Sequence, residues 1–374
     1  MKNNIYNDLG IKTVIHAAGT KSSFGGSRMS AAVIDAITEA SKHFASIDAV
    51  NRKIGEYIAE ITGAEAGMVT SGAASGVVLS MAACMTGTDI NKVKKLPNSQ
   101  GMRNKLIMQK IHMGSYSHMY TFPGVDIVEI GDFNDCLIEE LEGAYDDNTA
   151  AVGYLFGPRV SQTGLTLSQI VTSAHKRDIP VIVDAAAMLP PKSNLRKYIT
   201  EGADLVVFSG GKLIHGPQAT GLMFGRKDLV DAAFANSNPN HSIGRPHKVS
   251  KEDMIGLYVA LKQFMESDEE VMLENFKDKL TPIVDELSNI NGVTVEIVHD
   301  GINYHVPVAI IKFHPSLEKI QAADFPKIML RNEPAIFMQY FKELGHLVVN
   351  PISLQDGEPE IVAQELKKQI LMRI

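Results

Sequence analysis

The sequence predicts an α/β protein: a large domain over residues 1–250 on a doubly wound, mostly parallel sheet, and a small α+β domain over residues 251–374. Three observations lead there. Ile179–Ala187 (IPVIVDAAA) and Asp204–Lys212 (DLVVFSGGK) are short runs of β-branched and apolar residues, as in strands buried on both faces of a parallel sheet. Between residues 66 and 226 strand-like and helix-like patterns alternate, the order that builds a layered α/β domain. Beyond the polar stretch 237–250, the best linker candidate, the order changes to runs of helices and strands.

In chain order, Thr13–Thr20 (TVIHAAGT) begins as a strand and runs into the Gly- and Ser-rich loop Lys21–Arg28. Such a loop can approach a ligand closely, which makes His16 and Arg28 candidates for substrate contact. Residues 30–62 read as helical, with Ser30 as N-cap and Val33, Ile34 and Ile37 on the apolar face. Arg52 lies in the second part of that stretch, where a solvated charge is the plainer reading. Gly67–Gly76 (GMVTSGAASG) ends a strand in Thr-Ser-Gly, and small residues open an apolar helix. Free N–H groups at a helix N-terminus, with hydroxyls beside them, bind anions, and small side chains admit a phosphate. Ser71, Gly72, Ala73, Ala74 and Ser75 are the candidates. The spacing is neither a Walker A loop nor G-x-G-x-x-G, and tight helix-to-strand packing also uses small residues.

Residues 88–104 are polar and read as an exposed insertion. The strand Lys105–Ile111 leads into His112–Tyr120, rich in His and Tyr; Asp126–Gly131 is another strand, and Phe133–Leu141 a helix. Thr149–Gly157 is a strand ending at Pro158 and Arg159. A helix over 165–177 starts near Thr166 or Ser168 and ends in Lys176 and Arg177, as the helix dipole favours. His215–Gly225 is a turn and a return strand. Ser250 and Asp253 resemble a capping box opening a helical stretch to about 289, which Pro282 kinks or divides. Strands at 293–298 and 306–313, a helix at 316–329, strand-like 335–340 and 346–349, and a final helix from Glu358 complete the chain. Arg331 precedes the turn Asn332-Glu-Pro-Ala.

In open α/β sheets ligands bind beyond the carboxyl ends of the strands, which places Asp184 and Lys212 on one crevice. A carboxylate and an amine there suit pyridoxal 5′-phosphate (PLP). Lysine forms a Schiff base with an aldehyde, and a carboxylate keeps the pyridine nitrogen protonated so that the ring accepts electrons. Something flat must then lie against the ring; His118 and Tyr116 are the candidates. Alone, an Asp or a Lys at a strand end is usually a cap or a solvated charge. Two of them one crossover helix apart carry more weight.

The bulk numbers agree with a soluble enzyme. The 374 residues are 45% hydrophobic and 21% charged, with a net charge of −7 and a pI near 6.0. Nucleic-acid binding needs a basic face, so nucleic acid is not expected as a partner. The two cysteines, Cys84 and Cys136, form neither a metal site nor a disulfide framework, which fits a reducing cytoplasm. The N-terminus is too polar for a signal peptide, and no apolar run reaches 18 residues, so no membrane partner is expected.

Val14–Gly19 (VIHAAG), Thr70–Ser75 (TSGAAS), Val183–Ala186 (VDAA) and above all Phe208–Ala219 (FSGGKLIHGPQA) carry a family resemblance. Over nearly its whole length the chain resembles PLP-dependent enzymes of the fold-type I transferase fold. Within them it is similar to the selenocysteine synthase-like branch, and its opening Ile-Tyr-x-x-Leu-Gly-x-x-x-Val-Ile to the shorter D-glucosaminate-6-phosphate ammonia-lyase-like group. The resemblance implies that Lys212 is the Schiff-base lysine and that Asp184 pairs with the pyridine nitrogen. It further implies that Ser71 to Ser75 and Ser209 hold the cofactor phosphate, and that Ala186 packs on the ring. The implied activity is a lyase that takes an α-proton and a β-hydroxyl from an amino sugar acid phosphate, leaving a 2-keto-3-deoxy acid and ammonia. An aminotransferase, an aldolase or a carbon–sulfur lyase needs the same core. A selenocysteine synthase role is disfavoured, because the core motif starts near residue 12 and the charge is acidic. A distal phosphate and carboxylate call for Arg28, Arg52, Arg159, Arg245 or Arg331, with His118 and His215 nearby. No metal is implied, and a homodimer or higher homo-oligomer is.

Overall fold

The computed structural model describes residues 5–158, 160, 162–317 and 320–374. The chain divides into a smaller unit, Met1–Arg28 with Ser267–Ile374, and a larger one, Met29–Glu266. The boundary predicted at residue 250 therefore moves to two places. Residues 237–250 are packed loop, not linker: Ser237 bridges to Gly244, and buried Asn236 donates to the Thr86 hydroxyl at 2.7 Å. The helix Lys251–Glu266 stays with the larger unit because Met254, Leu257, Leu261 and Phe264 are buried. There Gln263 accepts from Ser30 at 2.7 Å, and Lys251 donates to the Ala40 carbonyl at 2.7 Å.

The chain opens with a short strand in the smaller unit, β1 (Val14–His16). Seven strands follow in the larger unit: β2 (Ala66–Thr70), β3 (Lys105–Gln109), β4 (Asp126–Ile130), β5 (Thr149–Leu155), β6 (Val181–Asp184), β7 (Leu205–Ser209) and β8 (Gly221–Gly225). Their order across the sheet is β2-β8-β7-β6-β5-β3-β4. β8 runs antiparallel to both neighbours, and the other pairs are parallel. The carboxyl ends of β2, β3, β5, β6 and β7 consequently share one edge, and register sets Asp184 beside Leu155 and Val207. β6 is buried throughout, and β5 and β7 are buried up to their last residues, as their unbroken apolar runs require.

One helix organises the layer on this sheet. Gly72–Thr86 is apolar on every side, and such a helix belongs in the interior. Its Val77, Met81, Ala82 and Met85 join Ile182, Leu205, Val207 and Met223 in one core. The helical stretch read over 30–62 consists of two helices, Ala31–Ser41 and Ile47–Thr62, with Ser46 capping the second start. The polar stretch 88–104 contains the helix Ile90–Lys95, capped by Asp89 and anchored by buried Val93.

In the smaller unit β9 (Val293–Val298), β10 (Val308–Phe313), β12 (Gln339–Phe341) and β13 (His346–Val349) form an antiparallel sheet, ordered β12-β13-β10-β9. β1 pairs in parallel with β11 (Ala335–Phe337). Ile283, Leu287, Val362, Leu366 and Ile370 fill the core beneath the helices Thr281–Leu287 and Glu358–Leu371. The predicted helical stretch to 289 breaks at Asp268, which caps a new helix, and again before Pro282. Among the described residues no helix is long and apolar enough to cross a membrane.

Candidate active site

The site is built where β2, β6 and β7 end. Thr70 closes β2, and its hydroxyl donates to the Gly72 carbonyl at 2.9 Å. Gly72 has φ +74, a left-handed turn that costs least without a side chain. Ser71 occupies the N-cap of the helix Gly72–Thr86 but makes no side-chain cap, so the first N–H groups keep their capacity for an anion. Ser75, one turn in, is buried, and its hydroxyl has no partner among the described residues. The backbone of Gly221 runs so close that a Cβ there would lie 2.6 Å from the Gly72 carbonyl carbon. Ser71, Gly72, Ala73, Ala74 and Ser75 thus form a small-residue cradle with donors to spare.

Asp184 ends β6 with 8% exposure. Its carboxylate accepts the Ala186 N–H at 3.0 Å, so Ala186 serves Asp184 through its backbone. Burial raises the Asp184 carboxyl above its ordinary range, while the Ala186 N–H and the Lys212 charge pull it back. Lys212, half-buried, follows Ser209 on a loop tied at both ends. Gly210 N–H donates to Thr220 at 2.9 Å, Gly216 N–H to Gly210 at 3.0 Å and His215 N–H to Lys212 at 3.0 Å. His215 holds φ +58, a strained geometry for a residue with a side chain.

The His- and Tyr-rich loop differs from expectation. His118 and Tyr116 are exposed, whereas His112 and Tyr120 are buried. His112 follows β3 and accepts the Leu155 N–H on Nδ1 at 3.5 Å. Its ring meets Tyr154 edge-on at 4.4 Å, and its Nε2 has no partner among the described residues. Burial pulls its pKa down to about 4. The Tyr120 hydroxyl is likewise buried without a partner among the described residues; burial, and then the Asp184 charge, push its pKa well up. Neither was singled out from sequence. The available signal was position: His112 lies three residues beyond the end of a central strand.

The arginines scatter. Arg52 pairs with Asp48 at 3.0 Å and Asp231 at 3.5 Å and lies over the Phe234 ring, so acids of its own unit engage it. Arg28 pairs with Glu358 at 3.3 Å, and Arg331 ends the helix Phe325–Arg331 exposed; both belong to the smaller unit. Arg245 donates to the Asn238 side chain. Arg159 lies outside the described residues. Among the described residues no cluster of His, Cys, Asp and Glu is fit to hold a metal.

The residues present fit PLP on two structural grounds. A buried carboxylate held up by burial would be relieved by a protonated ring nitrogen, and an uncapped helix start with an orphaned serine hydroxyl suits a phosphate.

The L-seryl-tRNA selenium transferase (SelA) family profile matches residues 12–288. A D-glucosaminate-6-phosphate ammonia lyase of Salmonella typhimurium is 31% identical over 98% of this chain and 98% of that protein. A 5′-C-glycyluridine monooxygenase-decarboxylase of Streptomyces is 30% identical over 98% of this chain and 92% of its own. A solved D-glucosaminate-6-phosphate ammonia-lyase structure superposes with a TM-score of 0.88 at 30% identity, covering 100% of both chains. The profile spans most of the chain, including the cradle, Asp184 and Lys212: this protein is an enzyme of the PLP-dependent L-seryl-tRNA selenium transferase (SelA) family.

Proposed function

We propose that the protein is a PLP-dependent ammonia-lyase acting on an amino sugar acid phosphate, with loss of the α-proton and the β-hydroxyl and release of a 2-keto-3-deoxy acid and ammonia. The observation that carries this reading is the end-to-end similarity, in sequence and in fold, to D-glucosaminate-6-phosphate ammonia lyase. When bound, the cofactor supplies a sink for the electron pair left by the departing α-proton. Ser71 to Ser75 and Ser209 hold its phosphate in this reading, Asp184 holds a proton on its ring nitrogen, and Ala186 keeps Asp184 in place. Lys212 would hold the cofactor through its side-chain amine. Its amine, once free, takes the α-proton and later returns it. The β-hydroxyl takes a proton from a general acid and leaves as water, and a second water hydrolyses the C=N bond of the product to release ammonia. Burial of Asp184 and of the strands beneath it keeps bulk water from competing for that proton.

The acidic balance argues for a small anionic substrate over tRNA. A cytoplasmic homodimer or higher homo-oligomer completes the reading, and light scattering measures its assembly. The Streptomyces relative supports a second reading, oxidative decarboxylation, on the same core.

The test supplies D-glucosaminate 6-phosphate to the PLP-loaded protein and measures ammonia, keto acid, carbon dioxide and oxygen uptake. Ammonia and keto acid in equal amounts, without oxygen uptake, support the lyase. Carbon dioxide with oxygen uptake supports the second reading. Lys212→Ala is expected to remove both turnover and the borohydride-fixable cofactor absorbance, and persistence of both ends the PLP-lysine reading.

A further inference from the structure

One side chain closes the outer side of β2. Among the described residues β2 is the edge of its sheet, paired with β8 alone, and an edge strand leaves alternate pairs of N–H and C=O groups open. At Val69 that pair is taken by Asn51, from the helix Ile47–Thr62. The Val69 N–H donates to Asn51 Oδ1 at 2.7 Å, and Asn51 Nδ2 donates to the Val69 carbonyl at 2.9 Å. Both residues are buried, Asn51 at 5% exposure and Val69 at 1%. The helix comes within reach because glycines meet there. A Cβ on Gly55 would lie 2.0 Å from the Gly67 carbonyl oxygen, and one on Gly67 would lie 2.7 Å from Ile58 Cγ2. Asn51, Gly55 and Ile58 follow the i, i+4, i+7 spacing of one helix face.

What Asn51 grips is the step into the phosphate cradle. After Val69 comes Thr70, whose hydroxyl ties the Gly72 carbonyl at 2.9 Å, and then Ser71 at the helix start. On the inner side the Gly221 backbone confines Gly72 by its close approach. The start of the cradle is therefore held twice, by β8 within the sheet and by Asn51 outside it. A row of N–H donors grips an anion well only when the donors are fixed beforehand. Without Asn51, two buried backbone groups at Val69 would lack partners, and the end of β2 would have to shift to regain them.

We infer that Asn51 is a positioning residue for cofactor binding: its amide, clamped on Val69, fixes the end of β2 and with it the place where Ser71 to Ser75 receive the cofactor phosphate. The inference rests on the PLP reading above. The oxygen and the nitrogen of the Asn51 amide are both engaged by Val69, so its influence passes through the backbone. Asp184 and Lys212 act on the ring nitrogen and the aldehyde in that reading, whereas Asn51 bears on the phosphate alone.

The experiment titrates the full-length apoprotein with PLP and with pyridoxal, which has the same aldehyde and ring nitrogen but no phosphate. The ratio of the two dissociation constants isolates the phosphate. Asn51→Ala is expected to weaken PLP about tenfold or more and pyridoxal less than about threefold. Asn51→Asp keeps the shape and an acceptor for the Val69 N–H but cannot donate to the Val69 carbonyl as a carboxylate; the same phosphate-selective loss is expected. Asp204→Ala lowers stability from the opposite edge of the sheet and should keep the wild-type ratio. An unchanged ratio in both Asn51 variants, or an equal change of the ratio in Asp204→Ala, overturns the assignment, because a merely structural asparagine would act no differently from Asp204. Should neither Asn51 variant fold, amide hydrogen exchange of the wild type carries the test. Coupling is reciprocal, so PLP, and not pyridoxal, is expected to slow exchange of the Val69 N–H; equal exchange with the two ligands overturns the assignment. A wild type that binds PLP no more tightly than pyridoxal overturns the underlying reading of the cradle. A wild type that prefers PLP, with Asn51 variants that keep the preference, overturns the Asn51 assignment alone.

Discussion

Two buried aspartates on the same sheet make opposite use of burial. Asp204 starts the β7 run at the amino edge and is 4% exposed. Its carboxylate accepts from His175 Nε2 at 2.9 Å, from the Val181 N–H at 2.7 Å and from Arg226 at 3.2 Å. Asp184, at the carboxyl edge of β6, has the Ala186 N–H and the field of Lys212. At the amino edge the buried carboxylate is fully engaged. Toward the other edge Asp184 keeps one backbone donor, and the Ser75 hydroxyl, the Tyr120 hydroxyl and His112 Nε2 have no partner among the described residues. The difference teaches that capacity for ligands is visible as hydrogen bonding withheld, at a cost in stability the rest of the fold covers.

Removing each carboxylate in turn is expected to have opposite consequences. Asp184→Asn is expected to lower turnover of the loaded enzyme by at least about 100-fold while leaving the apoprotein's unfolding midpoint unchanged or raised. A fall in that midpoint with normal turnover would put Asp184 among the structural residues. Asp204→Ala should do the reverse. It orphans the Val181 N–H and removes two charge-assisted bonds, a loss of about 3 kcal/mol in denaturant unfolding. The half-exposed Arg226 and His175 recover some of it from water.

Next in size is the pH response of the apoprotein. His112 binds its proton at about pH 4 when folded and near 6.5 when unfolded. Between those values the unfolded chain holds more protons, so the stabilisation is complete above pH 6.5 and is lost as pH falls toward 4. The loss is on the order of 3 kcal/mol. Asp184, raised by burial, acts in the other sense: its contribution is complete below pH 3.8 and declines as pH rises through its folded value. Unfolding followed from pH 7 to 4 in the wild type and in His112→Phe separates the two, since the variant should lose the acid-side slope. Tyr120→Phe sharpens the same point. Removing a buried hydroxyl without a partner should change apoprotein stability by less than about 1 kcal/mol or improve it. A larger destabilisation would mean that the hydroxyl is satisfied. The smallest effect belongs to Arg52→Ala, where loss of exposed pairs and a ring contact should cost about 1 kcal/mol or less, with turnover intact. A specific loss of substrate affinity would return Arg52 to the site.

Much of this was legible in the sequence, and the reasons are physical. Strands buried on both faces leave unbroken apolar runs, so β6 and β7, and with them Asp184 and the Lys212 loop, could be read directly. The small residues from Gly72 to Gly76 announced a helix start that something approaches closely, and the backbone of Gly221 does so. His112 was overlooked in favour of His118 because a loop of alternating His and Tyr has no period that separates buried from exposed; only the contact with Leu155 on another strand decides it. Arg52 looked available because its partner Asp231 is distant in sequence. The boundary near residue 250 misled for a related reason. A Pro- and Asn-rich segment reads as linker, yet Asn236 and the Ser237–Gly244 bridge hold it down.

The pairing of β1 with β11 also has a history in time. Val14 meets Ala335, so the larger unit, Met29–Glu266, is spliced into the middle of the smaller one. On a ribosome adding about 5–20 residues per second, the first strand emerges tens of seconds before its partner exists. The larger unit has its whole sequence in hand during that interval, while residues 14–16 must stay uncommitted. Residues 14–16 are therefore made well before the strand they pair with.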